Sequence, residues 1–357
     1  MSLPLLHPHS PSPAPGELTR VVAAAATQPR PVKGRGKGSK GRGKARGGGK
    51  RRLPTGPPLK VLDPLGGLPQ VLAGRYRLER LLGAGGMGVV YRARDLLHEQ
   101  FGDPEPYVAV KLLSEAFADA PDASALLYSE FALTRRLHHR HIVRMHSFDV
   151  DTGHACAFIT MEQLRGMPLD QLLCQWPLGL PWAQAREVIL ALLDALAYCH
   201  GLGVLHGDLK PGNLMLGDDG LRLFDFGLSR AAQGLLPGLP GLNRQRFDAW
   251  TPSYAAPELL QGAALSTAAD LFAVACVIHE LVSGKHPYRR LPSTQARDQQ
   301  LDLQLQRPRQ LPEYCWPALR TALALNAAER AIGVEELRHA FAPRGGWLGG
   351  WLQRREP

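Results

Sequence analysis

No stretch of this 357-residue chain approaches the ~18 consecutive apolar residues that a membrane-crossing helix needs. Met1-Ser2-Leu3-Pro4 lacks the charged and apolar regions of a secretory signal. The density of Pro and Gly that follows spoils the amphipathic helix of a transit peptide. Five cysteines stand at 156, 174, 199, 276 and 315, with no C-x-x-C pair, and their odd number argues against a disulfide framework. None of the thirteen histidines has cysteine partners at zinc spacing. A cytoplasmic protein in a reducing compartment, without structural zinc, is therefore expected. His138, His139 and His141 are expected to be surface imidazoles at a helix end.

Acid is scarce in one region only. Residues 1–60 hold 13 Lys/Arg and a single acid, Glu17, for a charge of +12, whereas the remainder sums to −2. The net charge of +10 therefore belongs to the N-terminal tail. Residues 33–52 carry ten Lys/Arg and no acid, after a Pro/Ala/Ser-rich start. Such segments bury too little apolar surface to offset their ordering entropy. Residues 1–73 are expected to be a disordered tail and linker. The 33–52 stretch would contact nucleic acid or anionic surfaces non-specifically through counterion release. The plainer reading is a solubilising tail, and the lack of interleaved aromatics favours it.

Beyond residue 74 the patterning becomes that of a folded α+β unit. Tyr76–Leu82 and the residues after Gly88 read as strands around a glycine turn. Val108–Leu112 and Ala155–Met161 read as further strands. Ser124–Leu137 reads as a helix with Leu126, Glu130, Leu133 and Leu137 on one side. After Gln163, long helices dominate: Trp182–His200, Leu271–Leu281 and Val334–Phe341. Leu221–Phe224 is a strand entered by the turn Gly217–Gly220. A strand-rich lobe (74–162) thus precedes a helical lobe (165–343), with 344–357 as a short tail. Trp347 and Trp351 in that tail are expected to pack on the domain.

The chemistry concentrates in His206-Gly207-Asp208-Leu209-Lys210-Pro211-Gly212-Asn213, followed by Asp225-Phe226-Gly227. Phosphoryl transfer from ATP needs such a set. One carboxylate orients the attacking hydroxyl, a cation sits on the transferred phosphate, and an amide and a second carboxylate hold Mg²⁺. Gly83-x-Gly85-x-x-Gly88 is a weak signal alone, but a strand follows it where dinucleotide folds place a helix. Lys111 in an apolar strand and Glu130 on an apolar helix face each require a partner, and pairing satisfies both. Each feature has a plainer reading: a glycine hairpin, a structural ion pair, or loop caps.

Taken together, these motifs resemble the eukaryotic-type (Hanks-type) serine/threonine protein kinase family, of the kind common in bacteria. The resemblance rests on the glycine loop, Val108-Ala109-Val110-Lys111, Glu130, HGDLKPGN, DFG, Thr251-Pro252-Ser253-Tyr254-Ala255-Ala256-Pro257-Glu258, Asp270 and Arg330. It implies a two-lobed fold, ATP and Mg²⁺ as cofactors, and protein substrates. It implies Asp208, Lys210 and Thr251 as catalytic residues and Asn213 and Asp225 as metal ligands. Leu82, Gly83, Gly85, Gly88, Val90, Ala109, Lys111, Glu130, Met161, Glu162, Leu164 and Met215 would surround the nucleotide. Glu258 would pair with Arg330, and Asp270 would hold the catalytic-loop backbone.

Two departures from the family coincide. Gly207 replaces the usual Arg, which in the family reads a phosphate on the activation segment. In that segment, Ala231 to Ala249 holds no Ser, Thr or Tyr, and Ser229 lies beside DFG. Activity independent of activation-segment phosphorylation is expected. Trp250 stands where Gly often precedes the Thr, and Leu96–Pro106 reads as a surface insert. Thr134 is polar where an apolar residue is common, a change expected to loosen the helix bearing Glu130. His-Gly-Asp also occurs in small-molecule phosphotransferases of aminoglycoside or choline kinase type, which leaves that alternative open beside a pseudokinase scaffold.

Overall fold

The computed structural model describes residues 70–85, 88–113, 123–231 and 251–343. The basic stretch, Trp250, the C-terminal tryptophans and nearly all of the hydroxyl-free run 231–249 lie outside the described residues. Among the described residues, no helix is long and apolar enough to cross a membrane.

The first lobe is a six-stranded antiparallel sheet. Its strands are β1 (Val71–Leu72), β2 (Tyr76–Ala84) and β3 (Gly88–Asp95), then, after a short helix α1 (Leu96–Gln100), β4 (Tyr107–Leu113). Helix α2 (Ala123–Thr134) precedes β5 (Met145–Asp151) and β6 (Cys156–Glu162). The spatial order is β1-β2-β3-β4-β6-β5. β4 is buried on both faces, and strand alternation splits its residues between two cores. Val108, Val110 and Leu112 join Leu72, Tyr76, Leu78, Tyr91 and Phe158 on one face. Ala109 joins Leu127, Phe131, Ile159 and Met161 on the other, beneath α2. Lys111 shares the parity of Ala109, so the same alternation turns its ammonium toward α2.

The described residues already pair a few positions before the expected boundary at 74. Val71–Leu72 pairs with Tyr76–Arg77, and the Ala73 N–H donates to Asp151 Oδ2 at 2.8 Å. Arg75 forms two hydrogen bonds to the buried Asp95, which also caps α1. The Leu96–Pro106 insert is largely exposed, as expected, with Phe101 81% accessible.

Helix α2 ends three residues earlier than the pattern predicted. The Arg136 and Leu137 amides bond to the third residue back, Leu133 and Thr134, so the chain tightens out of the α-helix there. Leu137 remains buried all the same. His141 departs from the surface reading: it is 7% exposed, and its Nδ1 lies 3.0 Å from the Leu221 carbonyl. A polar ring facing a carbonyl across the two lobes can be buried because it is paired.

The second lobe runs β7 (Met167–Pro168), α3 (Leu169–Gln175), α4 (Trp182–Gly201), β8 (Val204–Leu205), β9 (Leu214–Gly217), β10 (Gly220–Leu223) and β11 (Arg230–Ala231). It continues with α5 (Pro257–Leu260), α6 (Thr267–Ser283), α7 (Ser293–Asp298), α8 (Trp316–Ala322) and α9 (Val334–Phe341). α6 is buried on every side from Ala269 to Val282, apolar apart from the paired Asp270, His279 and Glu280. Ser266 caps its start, and Gly284 at φ 70° ends it in the left-handed conformation that glycine adopts freely. Val188, Leu192, Leu196 and Cys199 of α4 form the expected buried stripe.

His141, His206, His279 and His286 are buried, and desolvation lowers the pKa of each. His286 falls to about 3, through burial first and then the charge of Arg290. Native His286 stays neutral while the unfolded chain takes up protons below about pH 6.5, and the other three bind protons less readily than when unfolded, so stability present above that pH is lost as pH falls. Burial raises the Glu130 and Glu280 carboxyls and opposes this in part. The urea midpoint should fall between about pH 6.5 and about pH 5, with His286 alone removing up to about 1.4 kcal/mol of unfolding free energy per pH unit. A flat midpoint over that interval would contradict the assignment.

Candidate active site

Between the lobes, Lys111 Nζ donates to Glu130 Oε1 at 2.7 Å, Glu130 Oε2 at 2.8 Å and Asp225 Oδ1 at 2.7 Å. All three ammonium hydrogens are thereby used. The two carboxylates differ in access: the Glu130 side chain is 5% exposed and that of Asp225 39%. Glu130 is thus the fixed anchor, and Asp225 faces the cleft. Burial alone would lower the Lys111 pKa, but the charges of Asp225 and Glu130 outweigh it and raise it. Burial likewise pushes Asp225 up, and Lys111 more than reverses that. Glu130 stays raised by burial and by the like charge of Asp225, against the pull of Lys111.

Thr134 lies fully buried, and its hydroxyl donates to the Glu130 carbonyl at 2.8 Å. The polar side chain is thereby paired one turn back within its own helix.

A second cluster surrounds Asp208. Lys210 Nζ donates to Asp208 Oδ2 at 2.6 Å and to Thr251 Oγ1 at 3.0 Å, while Thr251 Oγ1 donates to Asp208 Oδ1 at 2.9 Å. Asn213 Nδ2 bonds to the Asp208 carbonyl at 2.8 Å and to Oδ2 at 3.2 Å. With its amide nitrogen so engaged, Asn213 keeps its carbonyl oxygen as the free end. The structure therefore brings Asp208, Lys210, Asn213 and Thr251 into one hydrogen-bonded set.

The backbone beneath is fixed from α6. Asp270, 2% exposed, accepts from the His206 N–H at 2.8 Å and the Gly207 N–H at 2.8 Å, with His200 Nε2 3.0 Å away. The buried His206 joins the two motifs. Its Nδ1 accepts from the Asp208 N–H at 3.2 Å, which leaves Nε2 as the donor to the Phe224 carbonyl at 3.3 Å. This bridge was not read from the sequence, although His206 opened the motif. Gly207 has φ +84° and Asp225 φ +61°. Glycine takes such a conformation without penalty, whereas Asp225 is held there by Lys111.

Of the residues expected around the adenine, Val90, Ala109, Met161 and Leu164 share one apolar cluster, while Met215 lines a mainly polar cavity beside Glu162 and Arg222. Ala109 faces Met161 across the β4–β6 ladder, and Val90 faces Lys111 across β3–β4. Val90 and Leu164 pack on the cluster that holds Ala109 and Met161. Met215 and Leu164 line one cavity with Glu162. Glu162 Oε1 accepts from the Arg144 N–H at 2.8 Å, which steadies the segment joining the lobes. In the glycine turn, a Cβ at Gly88 would lie 2.3 Å from the Leu112 carbonyl, so its glycine serves strand packing. Gly83 and Gly85 border open space, and Leu82 is half-exposed beside them. Glu258 meets Arg330 at 2.5 Å, as expected.

The family profile described as protein kinase domain matches residues 76–342. The chain therefore belongs to the protein kinase family. It is 34% identical over 278 residues to serine/threonine-protein kinase PknD of Mycobacterium tuberculosis, covering 76% of this chain and 40% of that protein. It is 32% identical over 265 residues to serine/threonine-protein kinase PkaA of Streptomyces coelicolor, covering 72% and 47%. The chain thus matches less than half the length of these curated relatives. The crystal structure of the Mycobacterium tuberculosis PknI kinase domain is similar at 29% identity and a TM-score of 0.54, covering 76% of this chain and 96% of that one.

Lys111→Met should leave two carboxylates, one of them deeply buried, without a counter-charge and cost about 3–5 kcal/mol. Adding Glu130→Gln should restore most of the loss. Denaturant unfolding tests both, and a Lys111→Met variant within about 1 kcal/mol of the parent would show that the cluster carries little stability.

Proposed function

We propose that this chain transfers the γ-phosphate of ATP to Ser or Thr hydroxyls of protein substrates, using Mg²⁺, without phosphorylation of its own activation segment. The observation that carries the reading is the convergence of the Asp208–Lys210–Thr251–Asn213 set and the Lys111–Glu130–Asp225 set on one cleft. The donor set fits the cofactor. Asp225 and Asn213 offer hard oxygens of the kind Mg²⁺ takes, and Lys111 offers a fixed ammonium of the kind that pairs with phosphate oxygens. When bound, the metal would neutralise charge on the phosphates.

The chain's own residues then divide the work. Asp208 orients the acceptor hydroxyl in line and takes its proton late in transfer. Lys210 places its charge beside that carboxylate, where negative charge accumulates on the transferred group. Thr251 bonds both and so couples the substrate-facing segment to the catalytic aspartate. Glu130 keeps Lys111 in reach of the nucleotide when Asp225 turns to the metal. Val90, Ala109 and Met215 would sandwich the adenine with Met161 behind it, and the backbone at Glu162 and Leu164 would bond its edge.

Phosphorylation independence rests on the absence of a reader and of a target. Gly207 has no guanidinium, and residues 231–249 have no hydroxyl. The ordered Thr251–Glu258 segment beside Asp208 favours protein over small-molecule acceptors, and both curated relatives cited are named as protein kinases.

Transfer of radiolabel from ATP to the protein itself or to basic test proteins should fall by at least about 10³-fold in Asp208→Ala, and phosphoamino-acid analysis should yield phosphoserine or phosphothreonine. Equal labelling by parent and variant would defeat the catalytic assignment. Activity should persist after exhaustive phosphatase treatment, and loss of activity on removing a phosphate from 225–250 would overturn the independence.

A further inference from the structure

A protein kinase cleft needs its substrate-facing segment held in place, and residues 231–249 offer no hydroxyl whose phosphate could hold it. A closed ring of contacts outside the catalytic set does so. Glu280, 1% exposed on α6, accepts a hydrogen bond from the Tyr254 hydroxyl through Oε2 and from Arg290 through Oε1 at 2.8 Å. The Tyr254 ring meets the buried His286 edge-on, with centroids 5.0 Å apart. His286 Nδ1 in turn accepts from the Tyr288 N–H at 3.1 Å and the Arg290 N–H at 3.2 Å. The ring thus runs Tyr254–Glu280–Arg290–His286 and back to Tyr254. The same loop adds two bonds to the segment. Ser293 donates its N–H to the Pro252 carbonyl at 3.1 Å and its hydroxyl to the Ala255 carbonyl at 2.5 Å.

The backbone of this loop is unusual. Arg289 and Arg290 both adopt left-handed φ, 55° and 58°, which residues with a Cβ disfavour. Consecutive residues hold such a conformation only where surrounding contacts over-determine it. The consequence here is specific: the Arg290 side chain, 62% exposed, turns back onto a carboxylate that is 2% exposed. Without that guanidinium, Glu280 would keep its charge in a buried site with only a tyrosine hydroxyl as partner.

We propose that Arg290 is a positioning residue for protein-substrate phosphorylation, acting through Glu280 and Tyr254 to hold the Thr251–Glu258 segment in register with Asp208. This rests on the proposed kinase reading, and it names the device that replaces a regulatory phosphate. Arg290 touches neither nucleotide nor reacting atoms. Its loss should therefore alter use of a protein acceptor and spare the hydrolysis of ATP by water.

The test compares Arg290→Ala, Arg290→Lys and the charge-free pair Glu280→Gln/Arg290→Ala, all in the full chain. For Arg290→Ala, kcat/KM toward a protein acceptor should fall at least about tenfold, a loss on the scale of one buried charged hydrogen bond. The KM for ATP and the basal ATP hydrolysis should stay within about twofold, as for interactions outside the nucleotide site. Lys should restore part of the loss, since it keeps a charge on Glu280 with fewer donors. The double variant removes the buried charge, folds without that penalty and should still show the acceptor defect. Hydrogen exchange of residues 251–258 should accelerate in both Ala-bearing variants, a readout independent of catalysis. Acceptor kinetics and exchange matching the parent in the double variant would overturn the proposal, as would an equal loss of ATP hydrolysis. If the parent transfers no phosphate to any protein, the kinase reading fails, and the exchange arm alone decides whether Arg290 orders the segment.

Discussion

One ammonium shared by two carboxylates from opposite lobes sets the geometry of this cleft. Lys111 projects from the first lobe, Glu130 backs it from α2, and Asp225 reaches it from the second lobe. The two buried charges, Lys111 and Glu130, are tolerable because every ammonium hydrogen is engaged, one of them by the more open Asp225. Any shift of α2, or of the segment carrying Asp225, would leave at least one charge short. The cluster therefore couples the lobes and fixes the side chains that would meet the phosphates. Its charges sum to −1, so a bound divalent cation would relieve the site.

The second aspartate is held by a different economy of contacts. Asp208 receives Lys210, Thr251 and Asn213, and its own amide rests on His206. His206 also reaches the Phe224 carbonyl, next to Asp225. The two charged clusters therefore share a buried, neutral imidazole at their base. Burial serves this role directly, since a protonated His206 would lose its Nδ1 acceptor.

Much of this was legible from the sequence because the charges break apolar patterns. Lys111 interrupts a strand and Glu130 a helix face, so each announces a partner. Asp225 as the third member was not legible as a contact, since it lies 114 residues from Lys111 and depends on how the lobes pack. His141 looked like a surface imidazole because nothing local marks the Leu221 carbonyl opposite it. The end of α2 at Thr134 was hidden because Leu137 continues the apolar spacing after the helix has tightened. That the neighbouring strand takes the Cβ space of Gly88 was not legible either, because it depends on the β3–β4 pairing. Arg290 gave no signal at all, because its role depends on a left-handed turn that composition does not encode.

Helix α6 carries Asp270 near its start and Glu280 near its end, each a buried carboxylate that grips a different loop. Ten residues of α-helix separate them by about 15 Å and turn their side chains about 80° apart. The helix thus works as a ruler with a fixed phase. The loop at His206 and Gly207 is referenced to one mark and the Thr251–Glu258 segment to the other. Apolar residues between the marks can be exchanged for others of like volume, but a single inserted residue would rotate one mark by about 100° relative to the other. Length along this rod, more than identity, is what the site cannot forgive.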